Sequence, residues 1–276
     1  MINEYAEYYS QASDVVARLG GTLTGLQFRA KDQAVEVFGL QALAICRDHC
    51  RAISILLRQN LFGEPIIISR SLFELVFALH WVLEATTREE ALERVYQLEA
   101  TPYYEFAKEV RLIEQDFAGP NPHWSPLKVR QFREEIETIM ADSPFLVRSG
   151  NQGRPEFKKA PDLASRMGQD LRLRFYHIYR FSSFFTHPTP SLKKVYITET
   201  GTSHSAADIM DEPLKQTLAY CLLLIEILAR SCCHIFDTHD PQQAATRDQY
   251  CSIISDLVDK ANNNYFATST HKRSDK

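Results

Sequence analysis

Glycine is scarce in this chain, with 10 in 276 residues, and the 12 prolines fall in a few clusters. Long stretches therefore carry no turn punctuation, which argues against an architecture of many short strands and for helices. Six cysteines are present (Cys46, Cys50, Cys221, Cys232, Cys233, Cys251), and none forms a CxxC pair. Most lie within apolar helical patterns, as buried free thiols do. Cys46, His49 and Cys50 share a helical face but supply only three local ligands, so no metal and no cofactor are expected. No run of membrane-spanning length is free of charge: Arg70 and Glu74 interrupt 64–83, and Glu226 interrupts 218–229. The opening MINEYAEYYS is acidic and aromatic, unlike a secretory signal. The expectation is a cytoplasmic protein with no membrane segment. Also missing are a glycine-rich phosphate loop, HExxH, GxSxG and the dinucleotide-binding fingerprint.

What is present is a 45% hydrophobic chain, normal for a protein that buries a real core. The spacing of its apolar residues predicts an all-α, multi-helix antiparallel bundle, with at most a short strand or extended segment near 192–200. One helical domain is expected over 1–265, followed by a flexible tail at 266–276. A helix over 2–19 ends at Gly20 and Gly21. A long second helix reaches Asn60, with Val35, Phe38, Ala42, Ile45, His49, Ile53 and Leu56 as its core stripe and Phe62 to Glu64 as its turn. Pro65 suits the first turn of a helix that is apolar nearly all round, to about residue 85. Thr86 or Thr87 caps the next, which runs to about Phe117 with a break near Pro102. Residues 127–141 make another helix, and 145–160 read as a basic, irregular connector. A short helix then precedes the central one, an apolar helix spans 213–236, and Pro241 opens the last, to about Lys260.

The net charge of −4 argues against an indiscriminate nucleic-acid coat. The charge is nevertheless uneven. Residues 148–194 hold ten Lys and Arg against three acids, a segment at +7 that leaves −11 on the rest. Such a stretch suits an anionic ligand such as a phosphate backbone, or pairs with acids elsewhere in the chain or in a partner.

Within that segment lies 171–190, LRLRFYHIYRFSSFFTHPTP, a helix that stops hard at a proline. Arg172, Tyr176, Arg180, Ser183 and His187 recur at steps of four, four, three and four, which sets them on one face. Beside them Leu171, Phe175, Ile178, Ser182 and Phe185 form a mostly apolar stripe directed at a core. Arg180 and His187, seven apart, lie within about 20° of each other around the axis and about 10 Å apart along it. A polar, titratable face beside an apolar one suits a helix lining a cleft. It also suits a partly buried helix whose polar residues are satisfied by neighbours. Upstream, Arg70 and Glu74 sit four apart in the most apolar helix, where they pair as an intrahelical salt bridge or await something brought to them. His80 reads as a hydrogen-bonded core histidine.

The Arg-x6-His pair in an all-helical, locally basic chain resembles the motif of the HEPN superfamily. A wider stretch is similar to a bacterial helical family catalogued as domain of unknown function 5677. The segments that carry this likeness are SRSLFEL, APDLASRMG and FYHIYRFSSFFTHPTPSL, strongest around Tyr176, Tyr179, Ser183 and His187. The HEPN resemblance implies a metal-independent ribonuclease, a toxin or phage-defence effector working as a homodimer with RNA and a cognate antitoxin or defence-system protein. Arg180 would then hold the scissile phosphate, and His187 would serve as general acid or base. Ser183 and Tyr176 would orient them, and Arg172, Tyr179, Lys193, Lys194, Arg70 and Glu74 would bind substrate. Phe181, where such nucleases often carry a polar residue, and Pro188, directly after the histidine, depart from that pattern. The alternatives are a non-catalytic helical module that uses a basic cleft for an anionic ligand or partner protein, and a metal-dependent hydrolase using Glu74, His187 and further carboxylates.

Overall fold

A computed structural model describes residues 2–23, 26, 33–116, 130, 131, 134, 138, 147–149, 155–157, 160–186 and 206–271. The fold is all-α, as the spacing predicts, with one small antiparallel ribbon. It divides into two compact units: Met1–His80 with Leu163–Lys276, and Trp81–Asp162.

The first unit begins with α1 (Ile2–Gly21), whose buried residues Tyr5, Tyr9, Ala12, Val16 and Leu19 recur at steps of four, three, four and three. That stripe packs on α2 (Ala34–Arg58), and hydroxyls stitch the two together. Ser13 donates to the Arg47 carbonyl at 3.1 Å, and Ser54 donates to the Ala6 carbonyl at 2.7 Å. Tyr9 donates to the Leu218 carbonyl at 2.8 Å and Tyr5 to the Ala261 carbonyl at 3.1 Å, so both buried phenols tie α1 to the C-terminal helices.

The core stripe of α2 differs from the one expected. Ile45 is 42% exposed, while Cys46, Cys50 and Leu57 are fully buried beside Ala42 and Ile53. Cysteine is as readily buried as the larger aliphatics, so a stripe chosen by side-chain size drifted to the edge of the true one. The end of α2 also differs. Asn60 takes a left-handed φ of 56°. The Leu61 amide reaches the Leu56 carbonyl and the Asn60 amide reaches the Leu57 carbonyl, both at 3.0 Å. This is a Schellman stop, with Asn60 in the place glycine usually takes, so Gly63 begins the next helix instead of forming the turn.

That helix, α3 (Gly63–Leu83), carries Pro65 in its first turn. Ile66, Leu72, Phe73, Val76 and Phe77 are buried. The two C-terminal helices that close the same core are α7 (Ala206–Asp237) and α8 (Ala244–His271). A 3-10 turn at Pro241–Gln243 joins them. Leu214, Leu218, Cys221, Leu222, Ile225, Leu228, Ala229 and Cys232 of α7 are all buried, as predicted. Both helices run beyond their expected limits, α7 starting before Pro213 and α8 continuing past Lys260. By length and composition α3 and residues 212–237 are apolar enough to cross a membrane, yet half or more of each is buried inside the protein.

In the second unit α4 (Arg88–Asp116) starts at a Thr87 cap, whose hydroxyl accepts from the Glu90 amide at 3.1 Å. The helix continues through Pro102 without the expected break. Arg94 lies over the Trp81 ring, 5.2 Å from its centroid, and donates to the Trp81 carbonyl. Residues 147–149 and 155–157 pair as antiparallel strands β1 and β2, with Arg148 opposite Glu156. Within the basic 145–160 connector, these six residues are therefore paired strand and not irregular. The segment near 192–200 lies outside the described residues.

Candidate functional site

Returning to the first unit, α5 (Leu163–Arg166) leads into α6 (Gly168–Thr186), the central helix of the sequence pattern. Four of the five residues of its apolar stripe are buried as expected: Phe175 and Ser182 are fully enclosed, Ile178 nearly so, and Leu171 is buried, while the Phe185 side chain lies outside the described residues. Phe175 is the hub. Its ring meets Phe73 and Phe77 of α3 at 6.3 Å and Tyr220 of α7 edge-on at 5.7 Å. These contacts fix the rotation of α6 about its axis, and so decide which side chains face outward.

On the outward face Arg172 and Arg180 are exposed and Tyr176 is half-buried. The Arg172 guanidinium lies over the Tyr176 ring at 5.8 Å from its centroid. His177, which carried no prediction, is exposed with its ring edge-on to Tyr220 at 6.0 Å. Its signal was its position three residues before Arg180. His187, Lys193 and Lys194 lie outside the described residues, as does the side chain of Ser183.

The predicted residues that do come together are Arg70, Glu74 and Tyr179. Arg70 Nε donates to Glu74 Oε1 at 3.0 Å, the intrahelical bridge expected from the spacing. Both then reach α6: Arg70 Nη2 donates to the Tyr179 hydroxyl, which donates to Glu74 Oε1, each at 3.4 Å. The guanidinium also lies over the Tyr179 ring, 5.4 Å from its centroid, and Phe73 meets that ring edge-on. Burial pulls the Arg70 pKa down, but the Glu74 carboxylate and the Tyr179 hydroxyl outweigh it and hold it above the ordinary value. The charge on Arg70 is therefore secure, and the guanidinium is committed to the α3–α6 contact. Its side chain is only 21% exposed, against 47% for Glu74, so the carboxylate is the more open of the two.

A groove elsewhere in the first unit carries arginine where the sequence pattern had singled out none. Arg47, Arg51 and Arg58 of α2 face Ser10, Ser13 and Asp14 of α1 across a groove of about 710 Å³. Arg47 is paired with Asp48, and Arg58 with Glu7. The groove is therefore close to charge balance. Among the described residues no three His, Cys, Asp or Glu side chains are grouped as a metal site.

The profile of one protein family, described as a family of unknown function (DUF5677), matches residues 37–204. No curated protein and no solved structure matches the chain. The matched span takes in most of α2 and all of α3 and α6, and with them every residue of the outward face and of the Arg70–Glu74–Tyr179 cluster.

Proposed function

We propose that this chain, which belongs to the family of unknown function DUF5677, is a metal-independent ribonuclease of the HEPN type. It acts in the cytoplasm as a homodimer, in a toxin or phage-defence role. The observation that supports this is the outward face of α6. Two exposed guanidiniums, Arg172 and Arg180, stand two turns apart on a helix whose opposite face is locked into the core. Such a face meets a phosphate backbone with charge and with little reorganisation.

In this reading Arg180 holds the scissile phosphate and offsets the charge that develops in the transition state. His187, seven residues on, takes the proton of the ribose 2′-hydroxyl or returns one to the departing 5′-oxygen. Attack of the 2′-oxygen on phosphorus breaks the 5′-oxygen bond and leaves a cyclic phosphate. Ser183 and Tyr176 orient the phosphate, and Arg172, Lys193 and Lys194 hold neighbouring ones. Arg70 and Glu74 serve as positioning residues, through Tyr179. One helix spaces its two groups by about 10 Å and flanks a phosphate without enclosing it. A second copy supplies the other wall.

The test is incubation of the purified chain with varied RNAs in the presence of a chelator. Cleavage is expected, falling at least about 100-fold in Arg180→Ala and His187→Ala with unchanged far-UV dichroism. His177→Ala retains activity. No cleavage of any RNA with or without divalent metal overturns the proposal. Loss of cleavage in His177→Ala but not in His187→Ala overturns the imidazole assignment.

The mutual satisfaction of Arg70, Glu74 and Tyr179 favours a second reading, a non-catalytic module. Its cationic face would hold an anionic ligand or a partner such as a cognate antitoxin or defence-system protein. RNA retained but uncut, equally by wild type and His187→Ala, selects it.

A further inference from the structure

All six cysteines are buried and unlinked, but two differ from the rest. Cys233 of α7 and Cys251 of α8 bring their Sγ atoms to 3.3 Å. The position is set by helix register. One turn towards the connecting loop, Arg247 Nε meets Asp237 Oδ1 at 2.6 Å. One turn the other way, Arg230 Nη2 donates to Ser255 Oγ at 2.8 Å while its Nε holds Glu226 at 2.9 Å. Polar clamps on both sides thus hold the two antiparallel helices with the thiols opposed. We propose that Cys233 and Cys251 are a redox-active dithiol that reduces hydrogen peroxide and closes to a disulfide across the α7–α8 hairpin.

The roles of the two sulfurs follow from their surroundings. The hydrogen bond from Cys233 is the largest influence and lowers the Cys251 pKa; burial opposes it, and the lowering by the Arg230 guanidinium is countered by Asp248 and Glu226. Sharing its hydrogen with Cys251, together with burial, raises Cys233. Cys251 is therefore the nucleophile and Cys233 the resolving thiol. The Cys251 thiolate attacks one peroxide oxygen and the O–O bond breaks. The departing hydroxide takes up a proton to leave as water, and Cys251 becomes a sulfenic acid. Cys233 sulfur then attacks Cys251 sulfur, the S–O bond breaks, and the thiol proton leaves with the hydroxide as a second water. Two thiols are oxidised and one peroxide is reduced, with no further reactant. The reagent is close to water in size, and Arg230, 55% exposed, marks the solvent edge of the pair.

The other four cysteines are internal controls. Burial pushes Cys221 up to about 12 and raises Cys232, and a hydrogen bond with Cys46, then burial, raises Cys50. Cys46 and Cys50 lie four apart on one helix, both fully buried.

The experiment uses the full chain, kept folded, exposed to a small excess of hydrogen peroxide and then alkylated and digested. The expected result is one dominant cross-linked peptide pair joining Cys233 to Cys251. The other four thiols stay alkylated, thiol reductant reverses the change, and the oxidised protein melts several degrees higher. In Cys233→Ser the oxidation stalls at sulfenic acid on Cys251, trapped by a dimedone reagent. Six free thiols after treatment, or a cross-link that favours any other pair, overturns the proposal. Sulfenic acid trapped on Cys233 in Cys251→Ser at the wild-type rate overturns the assignment of roles. The wild-type peptide map stands even if neither variant folds.

Discussion

Tyr179 is where the two faces of the central helix meet. Its ring packs edge-on against Phe73, while its hydroxyl stands between Arg70 and Glu74. Tyr179→Phe keeps the ring and deletes the hydroxyl. Both contacts are long, so the expected cost is about 0.5–1 kcal/mol in chemical denaturation, with the Arg70–Glu74 bridge intact. Arg70→Ala is worse, because it also strips the stacked guanidinium from the ring and leaves Glu74 without its cation; about 1–2 kcal/mol is expected. If Arg70→Ala is the milder of the two, Arg70 is not a positioning residue. The Arg70–Glu74 bridge was legible from its four-residue spacing. Tyr179 as its third member was not. It lies 109 residues from Arg70, and a contact at that separation leaves no period in the sequence. The orientation of α6 was legible throughout its described part, because four buried and two exposed positions obey one helical step.

At the scale of the element, helix ends were read unevenly. Thr86 or Thr87 was identified as a cap from residue type, and the structure gives Thr87 that role. Asn60 was not, because asparagine marks a left-handed stop less often than glycine does. An alanine there meets the steric cost of positive φ, so Asn60→Ala is expected to destabilise by about 1–2 kcal/mol and Asn60→Gly by nothing measurable. Equal melting of the two variants would remove the argument. The middle of α2 was misread by one position, and Gly39 shows what the misreading missed. A Cβ there would stand 3.3 Å from both Ile235 Cδ1 and Phe236 Cζ. Cys232 donates to its carbonyl at 3.6 Å, so α2 and α7 touch at this point. Gly39→Leu is expected to cost about 2–3 kcal/mol by overpacking, read from the urea midpoint at unchanged slope. Arg247 anchors the same end of α7. Its side chain is fully buried, and it holds Asp237 at the end of α7 and the Asp240 carbonyl in the turn that follows. Arg247→Ala leaves the partly exposed Asp237 without its partner, and a loss of about 3 kcal/mol is expected in the same measurement.

For the whole molecule the distribution of charge matters more than its total. The chain carries −4, yet 148–194 carries +7, and the described cations of that segment on α6 face outward. Composition made the asymmetry legible, since it needs no knowledge of contacts. Whether those cations were free or spent on internal pairs depended on the fold, and Arg172 and Arg180 are exposed. If they meet a phosphate backbone, binding must release counterions. Each phosphate neutralised on a single strand contributes about −0.7 to the slope of log affinity against log salt. Four contacts, from Arg172, Arg180, Lys193 and Lys194, give a slope near −3 for single-stranded RNA, measured by fluorescence anisotropy with a catalytically dead chain. Replacing Arg172 and Arg180 by glutamine should lower the slope by about 1.4 and leave the melting temperature unchanged, since both side chains sit in solvent. The Arg47–Arg51–Arg58 groove gives the rival outcome. If Arg51→Gln lowers the slope and the α6 substitutions do not, RNA lies along α1 and α2, and the catalytic assignment on α6 falls with it. A slope near zero in every variant would mean that neither cationic face meets nucleic acid.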